Sequence, residues 1–160
     1  MTKKYYCVDD FRVGAQQRMP RVIFDYVDGA AGFETSSRLN RDMIDQIRLM
    51  PRVLVDIRER ELAKTFLGRT WTLPFGIAPM GMCNLAWPNT DKAFAAAAVD
   101  HDIPVCLSTF GSSSIEDMGE RASGNGWFQL YVGPSVDDAM DLVQRAKNTG
   151  YEYLVLTVDV

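Results

Sequence analysis

Polar side chains stand at the ends of several apolar segments of the sequence, and their types suit the binding of a small polar molecule. Ser108 and Thr109 close one apolar run, and Thr157 and Asp159 close another. Hydroxyl, amide, phenol and carboxylate groups can hydrogen-bond a cofactor or substrate, and a phenol can stabilise negative charge on a reacting oxygen. Taken singly, each residue could instead meet solvent or cap the next helix. The set that closes the runs is Ala78, Pro79, Ser108, Thr109, Gln129, Tyr131, Thr157 and Asp159.

The elements that must position these residues follow one another in a repeating β-α order from Leu73 onwards. Short apolar runs alternate with segments of helical periodicity, at the spacing of roughly 25 to 30 residues that a strand plus a crossover helix requires. Helix starts are indicated at Asn89 or Thr90, at Ser113 with Glu116 in a capping box, and at Ser135, and a stop at Gly150. The predicted strands are residues 74–78, 104–108, 127–132 and 153–159.

Four such units fit either half of a (β/α)8 barrel or a small doubly wound sheet. A doubly wound nucleotide-binding sheet usually carries a G-x-G-x-x-G turn after its first strand, but this position holds Ala78-Pro79-Met80-Gly81-Met82. The sequence therefore favours an α/β fold in which residues 73–160 form the first four strands of a (β/α)8 TIM barrel. Because a complete barrel takes about 250 residues, we expect an incomplete barrel with an open edge.

Residues 1–72 are predicted to form a helical and wrapping segment that precedes the barrel. Asp9 or Asp10 can cap a helix over residues 11–19, and Pro20 suits the first turn of a second helix that Gly29 terminates. A third helix with a polar face is predicted over residues 34–49. Residues 52–72 have a mixed pattern and are expected to wrap the rest.

The composition is that of an ordinary globular protein, with 47% apolar and 24% charged residues. A formal net charge of -4 with scattered Lys and Arg offers no basic surface for nucleic acid. Cys7, Cys83 and Cys106 are odd in number and widely spaced, which fits reduced thiols and implies no metal site. The polar N-terminus and the lack of a long apolar run predict a cytoplasmic protein. Peripheral attachment to the inner membrane, through a segment outside this chain, is left open.

Four strings on the predicted strands resemble successive motifs of the FMN-dependent 2-hydroxy acid dehydrogenases and oxidases. Their order and spacing are similar to those of the family, and the segments Arg21-Val22-Ile23-Phe24-Asp25-Tyr26, Asn40-Arg41-Asp42 and Pro51-Arg52 resemble its N-terminal region. The similarity covers essentially the whole chain. The strings are Ile77-Ala78-Pro79, Leu107-Ser108-Thr109, Trp127-Phe128-Gln129-Leu130-Tyr131-Val132 and Leu156-Thr157-Val158-Asp159.

The resemblance implies that FMN is the cofactor and assigns flavin contacts to residues at the strand ends. Ala78, Pro79 and Met80 would bind the cofactor, and the small or rigid Ala78 and Pro79 would let main-chain groups approach the flavin ring closely. The polar edge of the ring would be hydrogen-bonded by Ser108, Gln129 and Thr157, which would fix the flavin and tune its reduction potential.

The resemblance also implies three residues that act on the substrate. Tyr26 and Tyr131 would hold the carboxylate and hydroxyl of a 2-hydroxy acid, and Tyr131 would stabilise negative charge on the substrate oxygen. Asp159 would pair with a catalytic histidine and raise its basicity. The structural alternatives are a core position for Tyr26, a packing role for Tyr131 and a helix-capping role for Asp159.

The histidine that this mechanism needs is not predicted to be His101, the one histidine of the sequence. His101 precedes the second predicted strand, at the opposite end of the barrel from the reactive face. By resemblance, the histidine base, the arginines and lysine of the site and the FMN phosphate site would follow the fourth strand. We therefore expect a second segment, from the same gene product or a partner chain, to complete the barrel, and a homo-oligomer, a tetramer, once it is complete. The segment alone is expected to be inactive.

Gly81 faces the expected substrate side group and leaves room for a bulky one. The motif set is more similar to the mandelate-oxidising members of the family than to glycolate oxidases, with lactate dehydrogenases between them, so an aryl substrate such as (S)-mandelate is predicted. Phe110 could line an aromatic pocket or pack beneath the loop. The alternatives are lactate or glycolate as substrate, a flavin-dependent isomerase, and a half-barrel scaffold without catalysis. The electron acceptor, whether oxygen, quinone or a cytochrome, is not indicated.

Overall fold

Helices make up the first unit of the structure, a computed structural model that describes residues 4–159. This unit spans Met1–Arg60, and a second unit spans Glu61–Val160. Residues 1–3 and 160, which the predicted segments 1–72 and 73–160 include, lie outside the described residues. The helices of the first unit are α1 (Val8–Gln16), α2 (Arg21–Asp28) and α3 (Thr35–Asp45).

Side-chain chemistry sets where these helices begin and end. Helix α1 begins at Val8, earlier than predicted, because Asp10 does not cap it from in front but reaches back to accept from the main-chain N–H of Tyr6 at 2.7 Å and of Cys7 at 3.3 Å. Pro20 lies one residue before α2 rather than in its first turn. Gly29 ends α2 as predicted, and Arg12 pairs with Asp28 to join α1 to α2, with 2.6 Å from Arg12 Nη2 to Asp28 Oδ2.

The second unit is an α/β structure in which strands and helices alternate from β3 onwards. Ser135 Oγ accepts from the N–H of Asp138 at 3.2 Å at the start of α6, and Gly150 follows its end with φ +89°, as the sequence predicts. For α5 the cap is Ser114 rather than Ser113. The elements are β1 (Lys64–Phe66), β2 (Arg69–Trp71), a 3₁₀ turn (Cys83–Leu85), α4 (Thr90–Asp100), β3 (Val105–Ser108), α5 (Ile115–Ala122), β4 (Gly126–Tyr131), α6 (Val136–Asn148) and β5 (Tyr153–Thr157).

Strands β3, β4 and β5 form a parallel sheet in that order, with Ser108 opposite Gln129 and Tyr131 opposite Thr157. One face of this sheet packs against the helices, through residues such as Leu107 and Phe128 that are 3% and 1% exposed. Because side chains alternate along a strand, the neighbouring residues point to the other face. That second face carries Cys106, Ser108, Trp127, Gln129, Tyr131, Tyr153, Val155 and Thr157.

The predicted first strand, residues 74–78, lies beside β3 but forms a single bridge, between Ile77 and Val105. The N–H of Ile77 donates to the carbonyl of Pro104 at 2.8 Å, and the N–H of Cys106 donates to the carbonyl of Ile77 at 3.0 Å. A longer ladder does not form, since the next bonds on either side would need an N–H from Pro104 or Pro79, and proline has none. The segment thus occupies the position of a first barrel strand with minimal pairing.

A β-hairpin of β1 and β2 lies at the amino end of the parallel sheet and was not predicted. Its two-residue turn, Leu67 and Gly68, has positive φ at both positions, as in the type I′ turn that suits hairpins. Arg69 attaches the hairpin to the loops before β3 and β4. Its guanidinium donates to Gly124 O at 2.8 Å, Asn125 Oδ1 at 2.7 Å and Asp102 Oδ1 at 3.0 Å, and lies 4.0 Å from the Trp71 ring.

Candidate active site at the carboxyl end of the parallel sheet

A row of three polar side chains crosses the carboxyl end of the sheet, one from each strand. Ser108 Oγ donates to Gln129 Oε1 at 3.0 Å, and Gln129 Nε2 donates to Thr157 Oγ1 at 2.7 Å. Ser108 and Gln129 are 6% and 3% exposed. We call Ser108, Gln129 and Thr157 the polar row. The parallel register brings the three side chains together, although Ser108 and Gln129 are 21 residues apart along the chain and Gln129 and Thr157 are 28 apart.

The orientation of the Gln129 amide follows from its neighbours. The main-chain N–H of Thr109, which can only donate, lies 3.2 Å from Oε1 and identifies that atom as the oxygen. Since Oε1 accepts from both Ser108 and Thr109, its two lone pairs are used. One N–H of Nε2 and the hydroxyl hydrogen of Thr157 have no assigned acceptor within the row. The row therefore presents donors, which suit the carbonyl oxygens of a heteroaromatic ring.

Tyr131 stands at the end of β4, two residues after Gln129 on the same face of the sheet. Its ring lies 5.4 Å from the ring of Phe110, at an angle of 40°. The side chain is half-buried. The structure therefore places the predicted substrate phenol beside the polar row.

Gly81 and the cofactor-binding residues predicted just before it form the loop that follows residues 74–78. Ala78, Pro79 and Met80 are exposed. The loop is joined to the next βα loop by a hydrogen bond of 2.9 Å from the N–H of Met82 to the carbonyl of Phe110. A Cβ added to Gly81 would lie 3.2 Å from Phe110 Cβ, so a larger residue would press on the Phe110 side chain.

Asp91, in the first turn of α4, also joins these two loops and was not singled out from the sequence. Its carboxylate is 4% exposed and accepts from the N–H of Ser113 at 2.8 Å. The Cys83 thiol lies against it, and burial, with the nearby Asp91 carboxylate, raises the pKa of Cys83. A buried acid at the start of a helix is favoured by the helix dipole, but no sequence pattern showed that Asp91 would be buried.

Two further predicted site residues, Asp159 and Tyr26, are exposed. Asp159 follows β5 by two residues and is exposed, and no ion pair of it occurs within residues 4–159. Tyr26 belongs to the unit Met1–Arg60, where it lies on α2 with its side chain 63% exposed. His101 follows the end of α4 and precedes β3, at the amino end of the sheet. The roles predicted for these residues stay predictions.

An apolar hollow of about 270 Å³ lies directly below the polar row, toward the amino ends of the strands. Three of its lining residues, Cys106, Trp127 and Val155, stand two positions before Ser108, Gln129 and Thr157. This is the layered arrangement of side chains inside a parallel barrel. Together with the exposed Ala78 and Pro79, the row offers an apolar surface edged by hydrogen-bond donors. These residues fit the ring of a flavin such as FMN, with its flat apolar face and polar carbonyl edge.

Comparison with known proteins identifies the family of the chain. Residues 15–160 match the family model described as FMN-dependent dehydrogenase. The chain is 40% identical to (S)-mandelate dehydrogenase of Pseudomonas putida over 160 residues, 100% of this chain and 40% of that protein. It is 35% identical to L-lactate dehydrogenase of Caulobacter vibrioides over 151 residues, 94% of this chain and 39% of that protein.

A solved structure shares the fold. The soluble mutant of the membrane-associated (S)-mandelate dehydrogenase from Pseudomonas putida superimposes with a TM-score of 0.93 at 41% identity, covering 98% of this chain and 45% of that chain. The expected fold class, an α/β chain equivalent to the N-terminal part of a (β/α)8 barrel, is confirmed. The chain spans about two fifths of the length of the relatives it matches. No helix within residues 4–159 is long and apolar enough to cross a membrane.

Proposed function

Since the chain belongs to the FMN-dependent dehydrogenase family, we propose that the protein containing it oxidises an (S)-2-hydroxy acid to the 2-keto acid. Membership confirms the family resemblance seen in the sequence and FMN as the cofactor of the family. The observation that carries the proposal for this chain is the polar row with Tyr131 beside it at one edge of the sheet. FMN, when bound, accepts the two electrons that leave the substrate.

The polar row is proposed to hold the flavin ring by its carbonyl edge. The second N–H of Gln129 Nε2 and the hydroxyl of Thr157 would donate to ring oxygens. Ser108 donates to Gln129 Oε1 and so keeps the amide oriented with Nε2 toward Thr157. Ala78, Pro79 and Met80 would lie against the ring, where the short side chain of Ala78 permits close approach of the main chain. Because the donors of Gln129 and Thr157 are already held in place, they could stabilise negative charge on the ring without first reorienting.

Tyr131 is proposed to donate its phenol O–H to the hydroxyl oxygen of the substrate. The C2–H and O–H bonds of the substrate would break and a C=O double bond would form, and FMN, when bound, would take up the electron pair of the C2–H bond. Tyr26 would hold the carboxylate. The hydroxyl proton would go to a histidine base oriented by Asp159 and contributed, like the rest of the barrel, by residues outside this chain.

An aryl side group is the substrate class that the loops favour. Gly81 leaves space beside Phe110, whose side chain is 62% exposed and stacks on Tyr131. Aromatic rings of a ligand and a protein attract each other in tilted arrangements of this kind. We therefore favour (S)-mandelate or a similar acid over L-lactate or glycolate. A tetrameric cytoplasmic protein, peripheral to the membrane like its membrane-associated relative, is the assembly and location we propose.

Anaerobic reduction of the flavin tests the proposal. The full-length protein, loaded with FMN, should lose its absorbance at about 450 nm when a 2-hydroxy acid is added. We expect the order of rates (S)-mandelate, L-lactate, glycolate. A protein that binds FMN but is bleached by none of the three would contradict the function and fit an isomerase, and a protein that binds no flavin would fit a scaffold. Preference for glycolate would contradict the substrate class alone.

A further inference from the structure

Thr109, the residue after β3, uses its hydroxyl to bridge two main-chain groups of β4. Its Oγ1 donates to the carbonyl of Gln129 at 2.6 Å and accepts from the N–H of Tyr131 at 3.1 Å. The directions are fixed, because a carbonyl can only accept and an N–H can only donate. The hydroxyl thus spans the two peptide groups that flank Leu130.

The bridge takes the place of main-chain pairing that β3 no longer supplies. The register of β3 with β4 ends at Ser108 opposite Gln129, and the chain then turns away, with the N–H of Phe110 bonded to Ser108 Oγ at 3.2 Å. The N–H of Thr109, which would continue the ladder, bonds instead to the side chain of Gln129. Without the hydroxyl, the carbonyl of Gln129 and the N–H of Tyr131 would lose their hydrogen bonds on the β3 side.

The same residue therefore fixes one group that faces the cofactor and one that faces the substrate. Its N–H sets which way the Gln129 amide points, and its hydroxyl holds the peptide N–H of Tyr131. The ring of the following residue, Phe110, contacts the Tyr131 ring in a tilted arrangement, with the centroids 5.4 Å apart. A shift of the main chain at Tyr131 would move the phenol oxygen at the far end of the side chain by a larger distance.

We propose that Thr109 is a positioning residue for substrate oxidation, acting through Tyr131. The inference rests on the proposed function. It requires that loss of the hydroxyl impairs the use of the substrate while the hydrogen bonds of the polar row to the flavin persist, since no bond of that row involves Thr109 Oγ1.

The test is a double-mutant cycle in the full-length FMN-loaded protein. Thr109→Val removes the hydroxyl and keeps the branched shape, and Thr109→Ser keeps the hydroxyl. Each is combined with Tyr131→Phe. We expect Thr109→Val to lower kcat/KM for the preferred 2-hydroxy acid by about 10- to 100-fold, as misplacement of a reacting group does, and Thr109→Ser to stay within about threefold. In the Tyr131→Phe background Thr109→Val should cost less than about threefold, because the two act as one unit.

Binding measurements supply a readout independent of turnover. Thr109→Val should keep the dissociation constant of FMN within about threefold of the starting protein and weaken binding of the 2-keto acid product, seen as a smaller change in the flavin spectrum. A folded Thr109→Val protein that no longer retains FMN would overturn the inference, and if Thr109→Val does not fold, Thr109→Ala replaces it in the cycle. Failure of both to fold, while Thr109→Ser folds, would assign Thr109 to stability and overturn the inference.

The outcomes separate this inference from the proposed function. Equal cost of Thr109→Val with and without the Tyr131 hydroxyl, or no cost in either background, overturns the positioning role while leaving the oxidation intact. Absence of flavin reduction in the unsubstituted protein with every 2-hydroxy acid overturns the proposed function and the role of Thr109 with it.

Discussion

Gln129 Nε2 donates to Thr157 Oγ1 at 2.7 Å, so a side chain of β5 holds the amide of the central strand β4. Ser108 and Thr109 hold the oxygen of the same amide from the other side. An amide fixed on both sides cannot rotate to offer its oxygen. The polar row therefore suits a ligand edge that accepts hydrogen bonds.

Replacement of Gln129 by Glu should weaken FMN binding about tenfold or more, because a carboxylate lacks the N–H that meets Thr157 and the ring edge and is costly to bury at 3% exposure. FMN titration followed by flavin fluorescence measures the effect. Gln144→Glu makes the same change on the exposed face of α6, where Gln144 bonds only to Asn148, and should leave affinity unchanged. Equal affinities for both variants would rule out the donor role of Gln129.

Gly81→Ala should narrow the substrate pocket, since the new Cβ would lie 3.2 Å from Phe110 Cβ and displace that side chain by a few tenths of an ångström. We expect the ratio of kcat/KM for (S)-mandelate over L-lactate to fall by about tenfold, the usual effect of one methyl group in a specificity pocket. Gly133→Ala is the control, because its added Cβ meets no atom within 4 Å. An unchanged ratio in Gly81→Ala would show that the aryl group lies elsewhere.

Arg69→Ala should destabilise the fold by about 1–3 kcal/mol, because the guanidinium makes three hydrogen bonds from one partly buried position and stacks on Trp71. Urea unfolding followed by tryptophan fluorescence measures the loss of stability. The signal is sensitive to this region because the ring centroids of Trp71 and Trp127 lie 6.3 Å apart. Arg58→Ala removes an exposed arginine that pairs with Asp56 and should lower the free energy of unfolding much less than Arg69→Ala does. Similar losses in the two variants would contradict the anchoring role.

Cys106 should resist alkylation at pH 8 while Cys7 reacts. Burial raises the pKa of the Cys106 thiol to about 12, so almost none of it is thiolate at that pH, and Cys7 is exposed. Mass spectrometry of the peptides after brief iodoacetamide treatment distinguishes them. Rapid labelling of Cys106 in the folded protein would mean that the apolar layer below the polar row opens to solvent.

The raised pKa of Cys106 also gives a pH dependence of stability. A thiol that ionises less readily when folded contributes stability that is complete below its ordinary pKa near 9 and is lost as the pH rises toward about 12. Cys106→Ser should flatten the free energy of unfolding in that window. A steeper loss above pH 9 in the serine variant would contradict this assignment.

The sequence predicted the repeating part of the fold well, because periodicity and capping chemistry are local. Ser135 and Gly150 delimit α6 as expected, and β4 and β5 lie within one or two residues of their predicted bounds. The hairpin at Lys64–Trp71 was missed since its turn is Leu67-Gly68, and Leu rarely adopts the positive φ found there. The strand at residues 74–78 was overestimated because Pro79 and Pro104, which have no N–H, limit its pairing with β3.

Some residues of the candidate site could be predicted from local sequence patterns, and others depend on tertiary contacts. Ser108, Gln129 and Thr157 were found because they end apolar runs, and parallel strands gather such residues at one edge. The contribution of Thr109 depends on where the chain turns after Ser108, and that of Asp91 on two loops meeting. These are tertiary relationships that no spacing in the sequence contains. The comparison with relatives supports the family, while the substrate depends on loop side chains such as Gly81 and Phe110.

The attachment of Arg69 has a consequence for synthesis of the protein. Its acceptor at Gly124 lies 55 residues further along the chain. At about 5 to 20 residues per second, a ribosome needs roughly 3 to 11 seconds to make that stretch. During this interval the hairpin has left the exit tunnel or is leaving it without its anchor, and the Trp71 indole has no sheet to cover it. The nascent chain is therefore vulnerable to aggregation until β4 emerges, and chaperone occupancy should peak in that window.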